Sequence, residues 1–188
     1  MDEYIRENYS SEEYRSILKY YYEKIDELGT LALRDDMTHV GNKAAYTAEI
    51  SGLRDTDAYG IVFMDVNNLK MINDTYGHEA GDDYIKGCCD ILCDVYTHSP
   101  VFRIGGDEFA VILEGRDYES REALLQKLTD TFAKLWTARE NDPKHRFSAS
   151  VGMADSTACA TVKETIQAAD EAMYESKCRF KEKYGSYR

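Results

Sequence analysis

Two apolar runs, Val101-Phe102-Arg103-Ile104 and Phe109-Ala110-Val111-Ile112-Leu113, stand on either side of Gly105-Gly106-Asp107-Glu108. Short strand-forming runs joined by a Gly-Gly turn read as a β-hairpin. The two glycines can take φ > 0 at little cost. They deliver Asp107 and Glu108 to the start of the second strand. Acids that open an otherwise apolar strand do not serve its packing. Taken alone, such a tip would still be a solvated turn.

The hairpin limits what the flanking segments can build. Ile61-Val62-Phe63-Met64 reads as a buried strand closing at Asp65, and residues 78–96 read as a helix. Residues 118–140 form a second helix with Leu124, Leu125, Leu128, Phe132 and Leu135 on one side. Phe147–Met153 is a fourth strand. Residues 161–182 are a last helix with Val162, Ile166, Ala169 and Met173 in a stripe. From residue 60 the order is β-α-β-β-α-β plus a helix, the ferredoxin-like split βαβ arrangement of an α+β sandwich. In that topology the first strand neighbours the hairpin, so Asp65 and Asp107 can face each other. Paired carboxylates on adjacent strand ends suit two-metal phosphoryl transfer, where hard oxygen ligands hold Mg²⁺ against substrate phosphates.

Residues 10–33 read as one further helix. Ser10 and Glu13 fit a capping box. Tyr14, Leu18, Tyr21, Ile25, Leu28 and Ala32 then repeat at heptad spacing. This stripe either packs on its own domain or forms a short parallel coiled coil below an upstream sensor. The expected division is therefore a signalling helix at 1–33 and a catalytic domain at 34–188.

A net charge of −12 disfavours a nonspecific DNA or RNA binder, which needs a basic footprint. No apolar run approaches the roughly 18 residues of a membrane span, and Met1-Asp2-Glu3-Tyr4 is unlike a signal peptide. The expectation is a cytoplasmic chain, tethered, if at all, through regions upstream. The cysteine count is 5, an odd number without paired CxxC spacing. Cys89 and Cys93 read as small buried thiols rather than a metal pair.

Five separated motifs, in order, resemble the GGDEF diguanylate cyclase family over roughly residues 34–182. Arg34 through Lys43 resembles D-x-L-T-x-L-x-N-R, and Asp65 through Asp82 resembles D-x-D-x-F-K-x-x-N-D-x-x-G-H-x-x-G-D. Arg103 through Phe109 gives R-x-G-G-D-E-F intact. Ser148 through Gly152 resembles S-x-S-x-G, and Ala169 through Lys177 resembles A-D-x-A-M-Y-x-A-K.

The resemblance implies a core of the nucleotidyl cyclase and polymerase-palm type. It implies condensation of two GTP into cyclic di-GMP and two pyrophosphates, across a homodimer, with Mg²⁺ or Mn²⁺. Asp65, Asp107, Glu108 and the Val66 carbonyl would hold metal, with Glu108 also serving the reacting 3′-hydroxyl. Asn73 and Asp82 would read guanine, whose N1–H and 2-amino group suit a carboxylate. Lys70, Lys177 and Lys181, with Gly105 and Gly106, would hold the phosphates. Asn67, Leu69, His39, Lys43 and Lys181 stand where the family has aspartate, phenylalanine, glycine, arginine and arginine. Lys181 keeps the charge but not the bidentate fork. The family's R-x-x-D feedback positions fall on Tyr96 and Ser99, which implies no product inhibition there. The alternative is a weak or inactive domain that binds GTP as a sensor or interaction module.

Overall fold

The structure, a computed structural model, describes residues 11–185. The chain divides into two units, with the boundary after Arg34. The first contains helix α1 (Ser11–Ala32). In the single chain Leu18, Tyr21 and Ile25 of its stripe are exposed. Ser10, the expected cap, lies outside the described residues.

The second unit runs α2 (Lys43–Gly52), β1 (Gly60–Val66), α3 (Leu69–Tyr76), α4 (His78–Val95), β2 (Val101–Arg103), β3 (Glu108–Leu113), α5 (Gly115–Glu119), α6 (Arg121–Ala138), β4 (Ala149–Asp155) and α7 (Val162–Tyr184). The sheet order is β2-β3-β1-β4, and every neighbouring pair is antiparallel. This is the split βαβ topology expected from the element order.

Helices cover both faces of the sheet, which is why every residue of β1 is buried. Alternate strand residues reach opposite faces. Val62, Met64 and Val66 join Phe109, Val111 and Leu113 in a core with Ile72, Tyr84, Leu92 and Leu128 from α3, α4 and α6. Ile61 and Phe63 join Phe102, Ala110 and Ile112 in a second core with Ala169 and Met173 of α7 and Tyr46 and Ile50 of α2. Asp65 follows the second parity, so its side chain falls on the α7 face. A β-carbon on Gly152 would lie 2.5 Å from the Ala169 carbonyl oxygen and 2.6 Å from the Ala172 carbonyl carbon. Glycine at this β4 position lets α7 settle directly on the sheet.

Several segments differ from the sequence expectation, among them α3, which that reading leaves without an element. Asn42 accepts from the amides of Ala44 and Ala45 and so starts α2, a helix the hydrophobic pattern does not mark. The expected helix at 118–140 is broken at Ser120 into α5 and α6. The fourth strand is shifted to Ala149–Asp155, because Ser148 and its neighbours serve the loop after β1 instead.

Candidate active site

The hairpin tip is built around Arg103. Its Nη2 donates to the Gly106 carbonyl at 2.7 Å, and its Nη1 meets the Asp35 carboxylate at 3.1 Å. The amides of Ile104 and Gly105 both reach the Glu108 carbonyl, closing a tight turn. The glycines are not needed for φ > 0, since neither Gly105 nor Gly106 has a positive φ. A β-carbon at Gly105 would sit 2.5 Å from Glu108 Oε2 and 3.2 Å from its Cβ, so the Glu108 side chain would have to shift. On the side where a Gly106 β-carbon would project nothing lies within 4 Å, so that side of the tip is open, while the Gly106 carbonyl is held by Arg103.

Register brings the acids together. Asp65 is the cross-strand partner of Glu108, and the Val66 amide donates to the Asp107 carbonyl at 2.9 Å. One cleft is lined by Asp65, Val66, Lys70, Asp107, Lys177 and Lys181. Glu108 lies on the adjoining groove, with Asp65, Lys177 and Lys181. Lys177 lies four residues after Met173, on a helix face that continues the apolar stripe. It meets a buried anion there: its Nζ lies 2.7 Å from Asp65 Oδ2. Burial pushes the Asp65 carboxyl above its ordinary pKa, more strongly than Lys177 pulls it down.

Asp65 Oδ1 is buried without a hydrogen-bond partner. A buried carboxylate oxygen left open beside a second acid fits a hard cation that takes its remaining ligands from substrate. Among the described residues, no group of three or more acidic, His or Cys side chains forms a closed metal cage. Of the expected set, Asp65, Val66 and Asp107 share a cleft, and Glu108 stands exposed at its edge.

Asn67, where the family has a second aspartate, has a local explanation. Its Nδ2 donates to Ser148 Oγ at 3.2 Å, and its Oδ1 accepts from Ser150 Oγ at 2.9 Å. An amide offers both a donor and an acceptor; a carboxylate would lack the donor. Asn67 and these serines fasten the end of β1 to β4. His39 has φ 61°, and Asn68 shares that left-handed value. His39 thus keeps the backbone conformation that glycine takes most easily.

The expected guanine readers Asn73 and Asp82 do not line the cleft that holds the lysines. Asn73 is on α3 and Asp82 on α4, and the Asn73 side-chain oxygen is packed against the Cα of Gly81. Gly81, beside Asp82, is what brings the two helices close at this corner. Lys70 is exposed on the first turn of α3, and Lys181 is exposed near the end of α7. Phe180 also lines the cleft and meets Trp136 of α6 edge to face at 5.2 Å; the Trp136 ring also contacts Tyr184 at 5.2 Å and the Arg146 guanidinium at 3.7 Å. The apolar patterning places Trp136 and Phe180 on helices but does not pair them.

Tyr96 and Ser99 sit at the start of the turn before β2. Tyr96 is only 2% exposed and packs in the first core. Both hydroxyls are buried without partners. All five cysteines are free thiols, with Cys88 and Cys89 buried.

The profile described as "Diguanylate cyclase, GGDEF domain" matches residues 32–183, and the chain belongs to that family. It is 28% identical over 162 residues to diguanylate cyclase DgcS of Shewanella oneidensis, covering 80% of this chain and 51% of that protein. It is 32% identical over 158 residues to diguanylate cyclase DgcN of Escherichia coli, covering 81% of this chain and 38% of that protein. The chain thus spans about half or less of these curated relatives. Its fold is similar to the coiled coil and GGDEF domain of DgcB from Caulobacter crescentus, solved in complex with c-di-GMP. That match has a TM-score of 0.69 at 20% identity and covers 89% of this chain and 92% of that one.

Proposed function

We propose that this chain is a diguanylate cyclase that joins two GTP molecules into cyclic di-GMP and releases two pyrophosphates. The observation that carries this reading is the meeting of Asp65, Asp107, Lys70, Lys177 and Lys181 in one cleft, with Glu108 paired to Asp65 across the strands. Asp65, Asp107, Glu108 and the Val66 carbonyl would hold Mg²⁺ or Mn²⁺, which when bound neutralises charge on the reacting phosphate. The three lysines and the open side of the Gly105-Gly106 tip hold the triphosphate. Asn73 and Asp82 accept and donate at the guanine edge and reject adenine by its pattern. Each 3′-hydroxyl attacks the α-phosphate of the other GTP, and Glu108 is the exposed acid available to that hydroxyl. Positioning and fixed charge supply most of the rate.

Each protomer holds one GTP, so turnover takes two copies. The exposed Leu18, Tyr21 and Ile25 of α1 support a coiled-coil pairing in which this helix sets the dimer and relays a signal from an upstream sensor. The setting is cytoplasmic; among the described residues no helix is long and apolar enough to cross a membrane. Pyrophosphate release per protein should rise with protein concentration, and removing residues 1–33 should change that dependence. An identical profile for the truncated chain contradicts the role of α1. No pyrophosphate at high concentration would leave a GTP-binding module instead.

A further inference from the structure

Three lysines line the cleft, and they are not equivalent. Among the described residues, Lys70 and Lys181 make no ion pair, whereas Lys177 Nζ is 2.7 Å from Asp65 Oδ2. Asp65 is 3% exposed and its other oxygen has no partner. A carboxylate buried this deeply needs a cation, and in the nucleotide-free chain Lys177 is that cation.

We infer that Lys177 is a placeholder counter-ion that divalent metal must displace from Asp65, so that metal and triphosphate enter the site together rather than metal first. This rests on the proposed metal role of Asp65. With Lys177 in place, a metal at Asp65 would put two cations on one carboxylate. Displacing Lys177 without a substitute would strand a half-buried ammonium, whose side chain is only 30% exposed. A triphosphate resolves both costs, because it offers Lys177 a new anion in the same cleft while supplying oxygens to the metal. Metal and nucleotide then favour each other's binding, reciprocally. Lys177 is thus a positioning residue for the order of binding as well as a phosphate contact.

The test is Mn²⁺ binding to the full chain without nucleotide, followed by electron paramagnetic resonance of free Mn²⁺. Lys177→Gln should bind Mn²⁺ about tenfold more tightly than wild type. Lys181→Gln removes a charge that acts on Asp65 only from a distance, with no ion pair, and should gain much less than Lys177→Gln. Equal affinity in wild type and Lys177→Gln overturns the inference, as does an equal gain in Lys181→Gln. Where melting shows Lys177→Gln unfolded, the side-chain ¹⁵N resonance of Lys177 in wild type decides. The ammonium signal of the Asp65-bound lysine should be unmoved by diamagnetic Mg²⁺ alone and should shift on adding Mg²⁺ with a nonhydrolysable GTP analogue. A full shift with Mg²⁺ alone overturns it. If no variant binds Mn²⁺ with or without the analogue, the metal role of Asp65 fails and the inference with it. If all bind it equally, that role stands and only the exchange falls.

Discussion

Arg103 grips the carbonyl of Gly106 with two donors, Nη2 at 2.7 Å and Nε at 3.2 Å. The fork leaves Nη1 free for Asp35, so one guanidinium fixes both the hairpin tip and the loop ahead of α2. Replacing Arg103 by Ala should destabilise the domain by about 1–2 kcal/mol. It should lower GTP turnover by about 100-fold, since a small misplacement of reacting groups is costly. Lys at this position should restore little, because an ammonium cannot serve both partners in a plane. Thermal melts and pyrophosphate release on the two variants check this.

Gly81 supports the nucleotide corner through Asn73. On helix propensity alone, Gly81→Ala would stabilise α4 by about 1 kcal/mol. The Asn73 side-chain oxygen occupies the place of the new methyl group, so the amide must move. GTP binding, measured by calorimetry, should weaken about tenfold and the preference for GTP over ATP should shrink. A rise in melting temperature with unchanged binding would show that the contact does not matter.

Gly152 makes a claim about stability. Its added methyl group would meet main chain of α7 at Ala169, Ala172 and Met173, which cannot rotate away as a side chain could. Gly152→Ala should cost about 1–3 kcal/mol in urea denaturation. It should also disturb Lys177 on the same helix.

The fold was largely legible because helices on both faces make β1 and β3 continuous apolar runs. The element order then fixes the split βαβ sheet. The acids were legible for the same reason, since Asp65 falls at the end of one apolar strand and Asp107 and Glu108 at the start of another. Contacts between distant segments were not. Nothing in the local pattern says that Ser148 and Ser150 satisfy both sides of the Asn67 amide, or that Asp35 reaches Arg103. The glycine pair was read for backbone freedom, whereas neither glycine has a positive φ and a β-carbon at Gly105 would instead press on the Glu108 side chain.

Asp155 sets a pH dependence. Burial alone would raise its carboxyl, but hydrogen bonds from Thr157 and from Arg121, the latter at 2.7 Å, outweigh it and hold the pKa below the ordinary value. A depressed folded pKa means that the stabilisation is present above the unfolded pKa and is lost as pH falls through the folded one. Asp155→Asn should therefore melt below wild type near neutral pH. The gap should close as pH drops through and below the ordinary carboxylate range.

Tyr96 and Ser99 supply neither guanidinium nor carboxylate, and Tyr96 is sealed in the core. Product inhibition through these positions is not expected. Any inhibition of wild type by added cyclic di-GMP should persist in Tyr96→Phe and Ser99→Ala; its loss in either would refute the prediction.

The central claim is the reaction itself. Wild type and Asp107→Ala, both checked for folding, are incubated with GTP and Mg²⁺, and the nucleotide products are separated and identified by mass. Wild type should yield cyclic di-GMP with two pyrophosphates per product, and Asp107→Ala should yield none above background. Cyclic di-GMP absent from wild type, or formed equally well by Asp107→Ala, contradicts the account.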